Sequence, residues 1–158
     1  MRKDEVIIIS SCLAGVKCRY NGKDKKAIWF DSLKERYRII DLCPEVLAGM
    51  KIPRSAMEFL GGDGEKVWSG EGKVINRDGE DVTELLKKGA LRALDICKKY
   101  KVKYIILKEK SPSCGVHKVY YKDRGLDYGI GVWTYLLKKE NYYIFNEEEF
   151  GDFLKRGL

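Results

Sequence analysis

The chain has 158 residues, five cysteines and a formal net charge of +7 at pH 7. This length suffices for one well-buried core and is too short for two ordinary domains, so we expect a single domain over 1–158. No apolar run is long enough to cross a membrane, and the short run over 6–9 lacks the basic lead-in of a secretory signal. The composition therefore predicts a soluble, cytoplasmic protein that does not enter a membrane.

The basic charge permits binding to nucleic acid or to another anion through a positive surface potential. The lysines, however, are spread along the chain in pairs, and at helical positions such pairs mostly form solvated faces. The chain also lacks glutamine and is rich in Lys, Glu, Ile and Tyr, a composition reported for proteins that work at high temperature. Nucleic-acid binding is therefore compatible with the charge but is not favoured by it.

Strand patterns alternate with helix patterns along the sequence. Continuous apolar, β-branched runs predict buried parallel strands, and apolar residues at a helical period predict amphipathic helices. The predicted strands cover 6–10, 38–42, 104–107 and 142–145, and the predicted helices cover 31–37, 83–99, a segment ending near 139, and 147–155. We expect a loop over 43–62 and a β-hairpin over 64–80. The pattern predicts an α/β, single-domain, three-layer αβα (Rossmann-like) fold with a mainly parallel sheet and a small β-hairpin excursion.

Cys12, Cys43 and Cys114 each come just after one of these predicted strands. If the three strands are parallel neighbours, their carboxyl ends lie along one edge of the sheet, where open α/β folds bind ligands. The odd number of cysteines and their irregular spacing argue against a disulfide framework. Three converging thiols in a cytosolic protein usually hold a metal or cluster, or include a nucleophile.

Two short motifs surround the later cysteines. From Ser111 to Gly115 the sequence reads Ser-Pro-Ser-Cys-Gly, a stiff turn with two hydroxyls beside a thiol. Glu45 lies two residues past Cys43, where a carboxylate can act as a general base or as a ligand. Each motif also has a plainer interpretation, a tight turn around a buried structural cysteine and an ordinary surface glutamate.

Three further residues have open roles at this point. Cys18 is either a fourth ligand or a loop thiol without an essential role, and we favour the second interpretation. Cys97 falls on the apolar stripe of a predicted helix, so we expect it in the core. His117 is the single histidine. It could complete a Cys₃His zinc site with Cys12, Cys43 and Cys114, or it could be a loop residue that binds no metal.

Taken in order, the motifs resemble those of the thiouracil desulfurase family over nearly the whole chain. The matching segments are Ser11-Cys12-Leu13, Cys18-Arg19-Tyr20-Asn21-Gly22, Cys43-Pro44-Glu45, Pro53-Arg54, Gly79 to Thr83, Lys108-Glu109, Ser111 to Gly115, Gly129 to Val132 and Phe145 to Glu148. The resemblance implies a single thiouracil-desulfurase-like domain. It also implies an oxygen-sensitive [4Fe-4S] cluster that an aerobically prepared sample can lose.

By the same resemblance, the cluster ligands are Cys12, Cys43 and Cys114, and one iron has no protein ligand. The thione sulfur of a thiolated pyrimidine would bind this open iron. Water activated by Glu45 would then attack the carbon that bears the sulfur, with Ser111 relaying a proton or orienting the substrate. The resemblance thus implies desulfuration without net redox change.

Two other functions remain open from the residues alone. The first is a zinc-stabilised, basic RNA-binding protein in which the cysteines are structural. The second is a closed cluster with Cys18 as its fourth ligand and a redox or structural task. The oligomeric state and the natural substrate are left open by the sequence.

Overall fold

A computed structural model of the protein describes residues 4–157. Within them, the strands are β1 (Glu5–Ser10), β2 (Arg38–Leu42), β3 (Met57–Leu60), β4 (Lys73–Asn76), β5 (Lys101–Leu107), β6 (Lys118–Tyr121), β7 (Gly125–Tyr128) and β8 (Ile144–Asn146). The helices are α1 (Phe30–Arg36), α2 (Pro44–Leu47), α3 (Gly64–Ser69), α4 (Thr83–Cys97), α5 (Val132–Lys139) and α6 (Glu147–Lys155). A short 3₁₀ turn, Ser11–Ala14, follows β1.

The first sheet has the strand order β2-β1-β5-β8, and every neighbouring pair is parallel. β1 is central and almost fully buried because its β-branched side chains face helices on both sides. The four predicted strands are confirmed, although β5 begins earlier than predicted and β8 is shifted slightly toward the C-terminus. The three strands that precede the cysteines are therefore adjacent.

Helices cover both faces of this sheet. Ile7 of β1 packs on one side with Phe30 of α1 and Phe150 of α6. Ile8 faces the other side and packs in a core that includes Leu94 of α4. The predicted three-layer α/β class is confirmed by this arrangement. Cys97 is 0% exposed at the end of α4, which confirms its predicted place in the core.

A second sheet, with strand order β4-β3-β6-β7, takes the place of the small excursion that the sequence predicts. β3 with β4 and β6 with β7 are antiparallel pairs, and β3 joins β6 in parallel through Phe59 and Tyr121. The second sheet is larger than predicted because β3, β6 and β7 lie outside the predicted hairpin and were not identified by the sequence analysis.

Two local predictions in this region are wrong. The predicted loop over 43–62 contains α2 and β3, and the first half of the predicted hairpin over 64–80 is α3. The side chain of Asp63 caps α3 by accepting a hydrogen bond from the Glu65 amide, and Gly70, with φ of 89°, ends the helix. β4 then pairs with the preceding strand β3.

Close packing of α4 against α2 positions the short helix that follows β2. A Cβ atom at Gly89 of α4 would lie 2.0 Å from the carbonyl oxygen of Pro44, so only glycine allows this approach. The position of α2 thus depends on the long helix as well as on the sheet. Across residues 4–157, none of the helices combines the length and the apolar character needed to span a bilayer.

Candidate functional site

A cavity of about 320 Å³ opens at the carboxyl ends of β2, β1 and β5. Three segments form its floor: the 3₁₀ turn after β1, the start of α2 after β2, and the loop over 108–114 after β5. Ser11 Oγ donates a 2.6 Å hydrogen bond to Asp41 Oδ1 and so ties the first of these turns to β2. The cavity thus lies at the sheet edge that the sequence predicted for a ligand site.

Cys12, Cys43 and Cys114 all line this cavity, although the chain segments between them are long. Cys12 and Cys114 are buried and Cys43 is partly exposed. Burial raises the pKa of Cys114 to about 12, an effect that hydrogen bonds from Ser10 and Ser113 reduce. Without a cation to stabilise its thiolate form, Cys114 is therefore a neutral thiol near pH 7.

Cys18 lies in the same cavity wall and is 3% exposed. Its pKa is raised to about 12, first by the hydrogen bond with Cys12 and further by burial, against an opposing contribution from Cys43. The pKa of Cys43 is raised in turn by the hydrogen bond with Cys18 and by burial. The structure therefore groups four thiols, not three, and Cys18 contacts two of the three predicted ligands.

Glu45 is held between Arg54 and Ser113 at the first turn of α2. Arg54 donates from Nη2 (2.6 Å) and Nε (3.1 Å) to Glu45 Oε1. Ser113 Oγ donates to Glu45 Oε2 at 2.9 Å. The side chains of Arg54 and Glu45 are only 9% and 10% exposed. The carboxylate is thus buried, ionically paired and oriented, unlike an ordinary surface glutamate.

Ser111 lines the cavity, and its side chain is also bonded within the turn that it begins. Its Oγ accepts hydrogen bonds from the backbone amides of Ser113 (3.2 Å) and Cys114 (3.1 Å) and lies 3.1 Å from Ser113 Oγ. Ser111 therefore shapes the turn, whereas Ser113 contacts Glu45 directly. Ser113 was visible in the sequence as the second hydroxyl of the motif, but nothing there distinguished its role from that of Ser111.

The loop that bears Ser113 and Cys114 rests on the start of α5. The amides of Val132 and Trp133 donate to the carbonyls of Pro112 and Ser113 at 2.9 and 3.0 Å. A Cβ atom at Gly131 would lie 2.4 Å from the carbonyl of Ser113. Glycine at 131 is therefore required for this close approach.

Glu109 closes the same loop from its other side. Its Oε1 accepts hydrogen bonds from the amides of Val116 (2.8 Å), His117 (2.9 Å) and Lys118 (3.0 Å), and its Oε2 accepts one from Asn146 Nδ2 (2.8 Å). Burial by itself would raise the pKa of Glu109, but these hydrogen bonds outweigh burial and the pKa lies below its ordinary value. The Lys-Glu pair before the motif thus has a structural role that sequence reasoning missed.

His117 is not part of the cavity lining. Its Nε2 lies 3.0 Å from Glu149 Oε2, on an exposed surface. Among residues 4–157, no three His, Cys, Asp or Glu side chains meet closely enough to hold a metal ion. The Cys₃His set considered for zinc is therefore not brought together.

The cysteine-lined cavity does fit a larger group with several iron atoms. Thiolates are the ligands that hold iron–sulfur clusters, and a cubane cluster, being larger than one ion, needs ligands that are spread around a cavity. Four cysteines around one space of about 320 Å³ meet this requirement in both chemistry and room.

Together, the fold and the cavity define an α/β protein with a cysteine-lined ligand site at the carboxyl edge of its parallel sheet. A model of the 2-thiouracil desulfurase family matches residues 7–149, and the chain belongs to this family. The family assignment made from the sequence is thereby confirmed, as is its prediction of a desulfurase enzyme.

Two individual proteins are similar to the chain. The uncharacterized protein YbbK of Bacillus subtilis (strain 168) is 39% identical over 152 residues, which cover 94% of this chain and 100% of YbbK. The solved structure of the [4Fe-4S]-dependent thiouracil desulfidase TudS superposes with a TM-score of 0.80 at 33% identity, covering 94% of each chain. The resemblance to TudS thus extends over the fold and the sequence together.

Proposed function

We propose that this protein is a [4Fe-4S]-dependent desulfurase that hydrolyses the carbon–sulfur bond of a thiolated pyrimidine, and that the whole chain acts as one such domain in the cytoplasm. The observation that carries the proposal is the cavity at the strand ends, which joins the cysteines to a buried, oriented carboxylate. Family membership and the similarity to TudS support the cofactor and the substrate class.

Cys12, Cys43 and Cys114 would hold the cluster, because each follows one of three adjacent parallel strands. Cys12 lies in the 3₁₀ turn after β1 and Cys43 directly follows β2, and amides of α5 hold the loop that carries Cys114. Cys18 lies in the loop between the 3₁₀ turn and α1. When bound, the cluster supplies an iron without a protein ligand, a Lewis acid that polarises the bond to the thione sulfur.

Glu45 would take a proton from the water that attacks the carbon bearing the sulfur. The new carbon–oxygen bond replaces the carbon–sulfur bond. The thiolated pyrimidine thereby becomes its oxo form, and the sulfur leaves as sulfide. No electrons are exchanged with an outside partner. Ser111, which lines the cavity, would relay a proton or orient the substrate, and Ser113 would keep one oxygen of Glu45 turned toward the loop.

The decisive experiment is anaerobic purification followed by measurement of iron, sulfide, zinc and the visible spectrum, with thiouracil turnover measured in parallel. Cys12→Ser, Cys43→Ser and Cys114→Ser should each abolish the cluster, whereas Cys18→Ser should retain it. Cys97→Ala is the matched control, because Cys97 is a core thiol outside the cavity. A colourless protein with stoichiometric zinc would contradict the proposal.

Glu45→Gln tests the proposed general-base role of Glu45 separately from the binding of the cluster. The variant should keep iron and sulfide at wild-type content and lose turnover, because glutamine has nearly the same shape but cannot accept the proton. Full turnover in this variant would remove Glu45 from the mechanism.

A further inference from the structure

We propose that Arg54 is a positioning residue for the desulfuration, which fixes the orientation of the Glu45 carboxylate through a buried two-point contact. The inference rests on the proposed function, in which Glu45 activates water. Its basis is the pair of hydrogen bonds from Arg54 Nη2 and Nε to one and the same oxygen, Glu45 Oε1.

The hydrogen bonds leave the two oxygens of the Glu45 carboxylate with different numbers of free lone-pair sites. A carboxylate has about four lone-pair sites, two on each oxygen. Both sites on Oε1 are used by Arg54, and one site on Oε2 is used by Ser113 Oγ. The remaining site, on Oε2, is the one available to a water molecule. Arg54 thereby determines which oxygen can act on water.

Arg54 is itself held too firmly to move with Glu45. Its Nη2 also donates to the carbonyl of Cys18 (2.8 Å), and its Nη1 donates to the carbonyl of Lys51 (3.1 Å). Its backbone amide donates to the carbonyl of Tyr20 at 2.7 Å. The guanidinium is thus anchored to two chain segments, one of them the loop that carries Cys18.

Lysine cannot reproduce this arrangement. Its ammonium is a point charge without the planar fork that reaches Glu45 and the Cys18 carbonyl at once. Arg54→Lys therefore keeps the positive charge beside Glu45 but frees the carboxylate to rotate. Because a misplacement of about 1 Å at a reacting group can cost about 10²-fold in rate, we expect a fall in kcat of that order.

The test compares wild type, Arg54→Lys and Arg54→Ala in anaerobically prepared protein. Arg54→Lys should keep iron and sulfide content and KM for thiouracil, and should lose about 10²-fold in kcat. Arg54→Ala should lose more, and millimolar guanidinium should restore part of its kcat, because free guanidinium can occupy the vacated space. Arg124→Lys is the matched control, since Arg124 also pairs with carboxylates but is exposed and lies away from the cavity.

Two results would overturn the inference. The first is a wild-type kcat in Arg54→Lys. The second is loss of iron in Arg54→Lys together with a failure of guanidinium to rescue Arg54→Ala. This second result would show that Arg54 maintains the integrity of the site. Crystal structures of wild type and Arg54→Lys provide a readout that does not depend on activity. Glu45 should lose its contact with Ser113 in the variant, and an unmoved carboxylate would count against the inference even if the wild type proved inactive as a desulfurase.

Discussion

Replacing Glu109 by glutamine should destabilise the loop that carries Ser111 and Cys114. In the wild type, one carboxylate accepts four backbone amides through Oε1, the longest of them from Lys110 at 3.3 Å, and the Asn146 amide through Oε2. Glutamine has one acceptor oxygen and one donor group. Whichever way it is oriented, its NH₂ group must face another donor, either the Asn146 amide or the backbone amides.

The expected magnitude follows from these hydrogen bonds. Each hydrogen bond to a charged group contributes a net free energy of about 1.5–3 kcal/mol, and bonds that share one acceptor are not additive. In its better orientation, glutamine keeps the backbone contacts as weaker neutral bonds and loses the contact with Asn146. We therefore expect the free energy of unfolding to fall by about 2–4 kcal/mol at pH 7.

The effect should depend on pH with a definite sign. The pKa of Glu109 is lowered in the folded state from its ordinary value of 4.5, so the carboxylate stabilises the fold fully above that value. This stabilisation is lost as the pH falls through the lowered pKa. The difference between wild type and Glu109→Gln should therefore be constant near neutrality and shrink in acid.

Urea unfolding followed by circular dichroism, at pH 7 and in a series below pH 4.5, measures this difference. Metal-free protein should be used, because a bound cofactor adds its own contribution to stability. Glu35→Gln, at an exposed position of α1, is the control for the loss of one negative charge. Equal stability of wild type and Glu109→Gln at pH 7, or a difference that acid leaves unchanged, would refute the reasoning.

Three more predictions concern other parts of the molecule. Gly131→Ala should cost about 1–3 kcal/mol and lower turnover, because the new Cβ would press on the Ser113 carbonyl. In metal-free protein, iodoacetamide should label Cys43 before Cys97, since Cys43 is partly exposed whereas Cys97 is fully buried. Phe150→Ala should cost about 3–5 kcal/mol in unfolding free energy, because this side chain is fully buried in a cluster of aromatic rings.

Matched variants keep these predictions specific. Gly151→Ala places its Cβ no closer than 3.3 Å to Trp29 and should leave stability nearly unchanged, so an equal cost at both glycines would contradict the steric argument. Tyr143→Ala removes an aromatic side chain that is 75% exposed, and it should cost far less than Phe150→Ala. Labelling of Cys97 in the native protein at the rate of Cys43 would show that the α4 core opens readily.

The residues of the proposed site differ in how far the sequence could locate them. Cys12, Cys43 and Cys114 line one cavity, as the sequence analysis expected, because each follows a β-branched run and parallel strands bring their carboxyl ends together. Glu45 could be proposed from its spacing to Cys43 and from the family resemblance. Its burial and ion pair with Arg54, however, depend on the loop between α2 and β3, which carries Arg54 back over the start of α2.

Local pattern was enough for the first sheet and the longer helices, since hydrophobic period is a property of neighbouring residues. The second sheet was missed in part because its strands are only four residues long. Such short strands are stabilised by their partners across the sheet, and their own sequence contains little sign of them.

The strands of the first sheet, the longer helices and the place of three cysteines after those strands were thus readable from the amino-acid sequence. Three other features needed the packed chain: the inclusion of Cys18 among the thiols, the exclusion of His117, and the contact of Ser113 with Glu45. The physical reason is that hydrogen bonds such as Ser113 to Glu45, 68 residues apart, and Arg54 to Cys18, 36 residues apart, form only when the surrounding loops dock on the finished sheet.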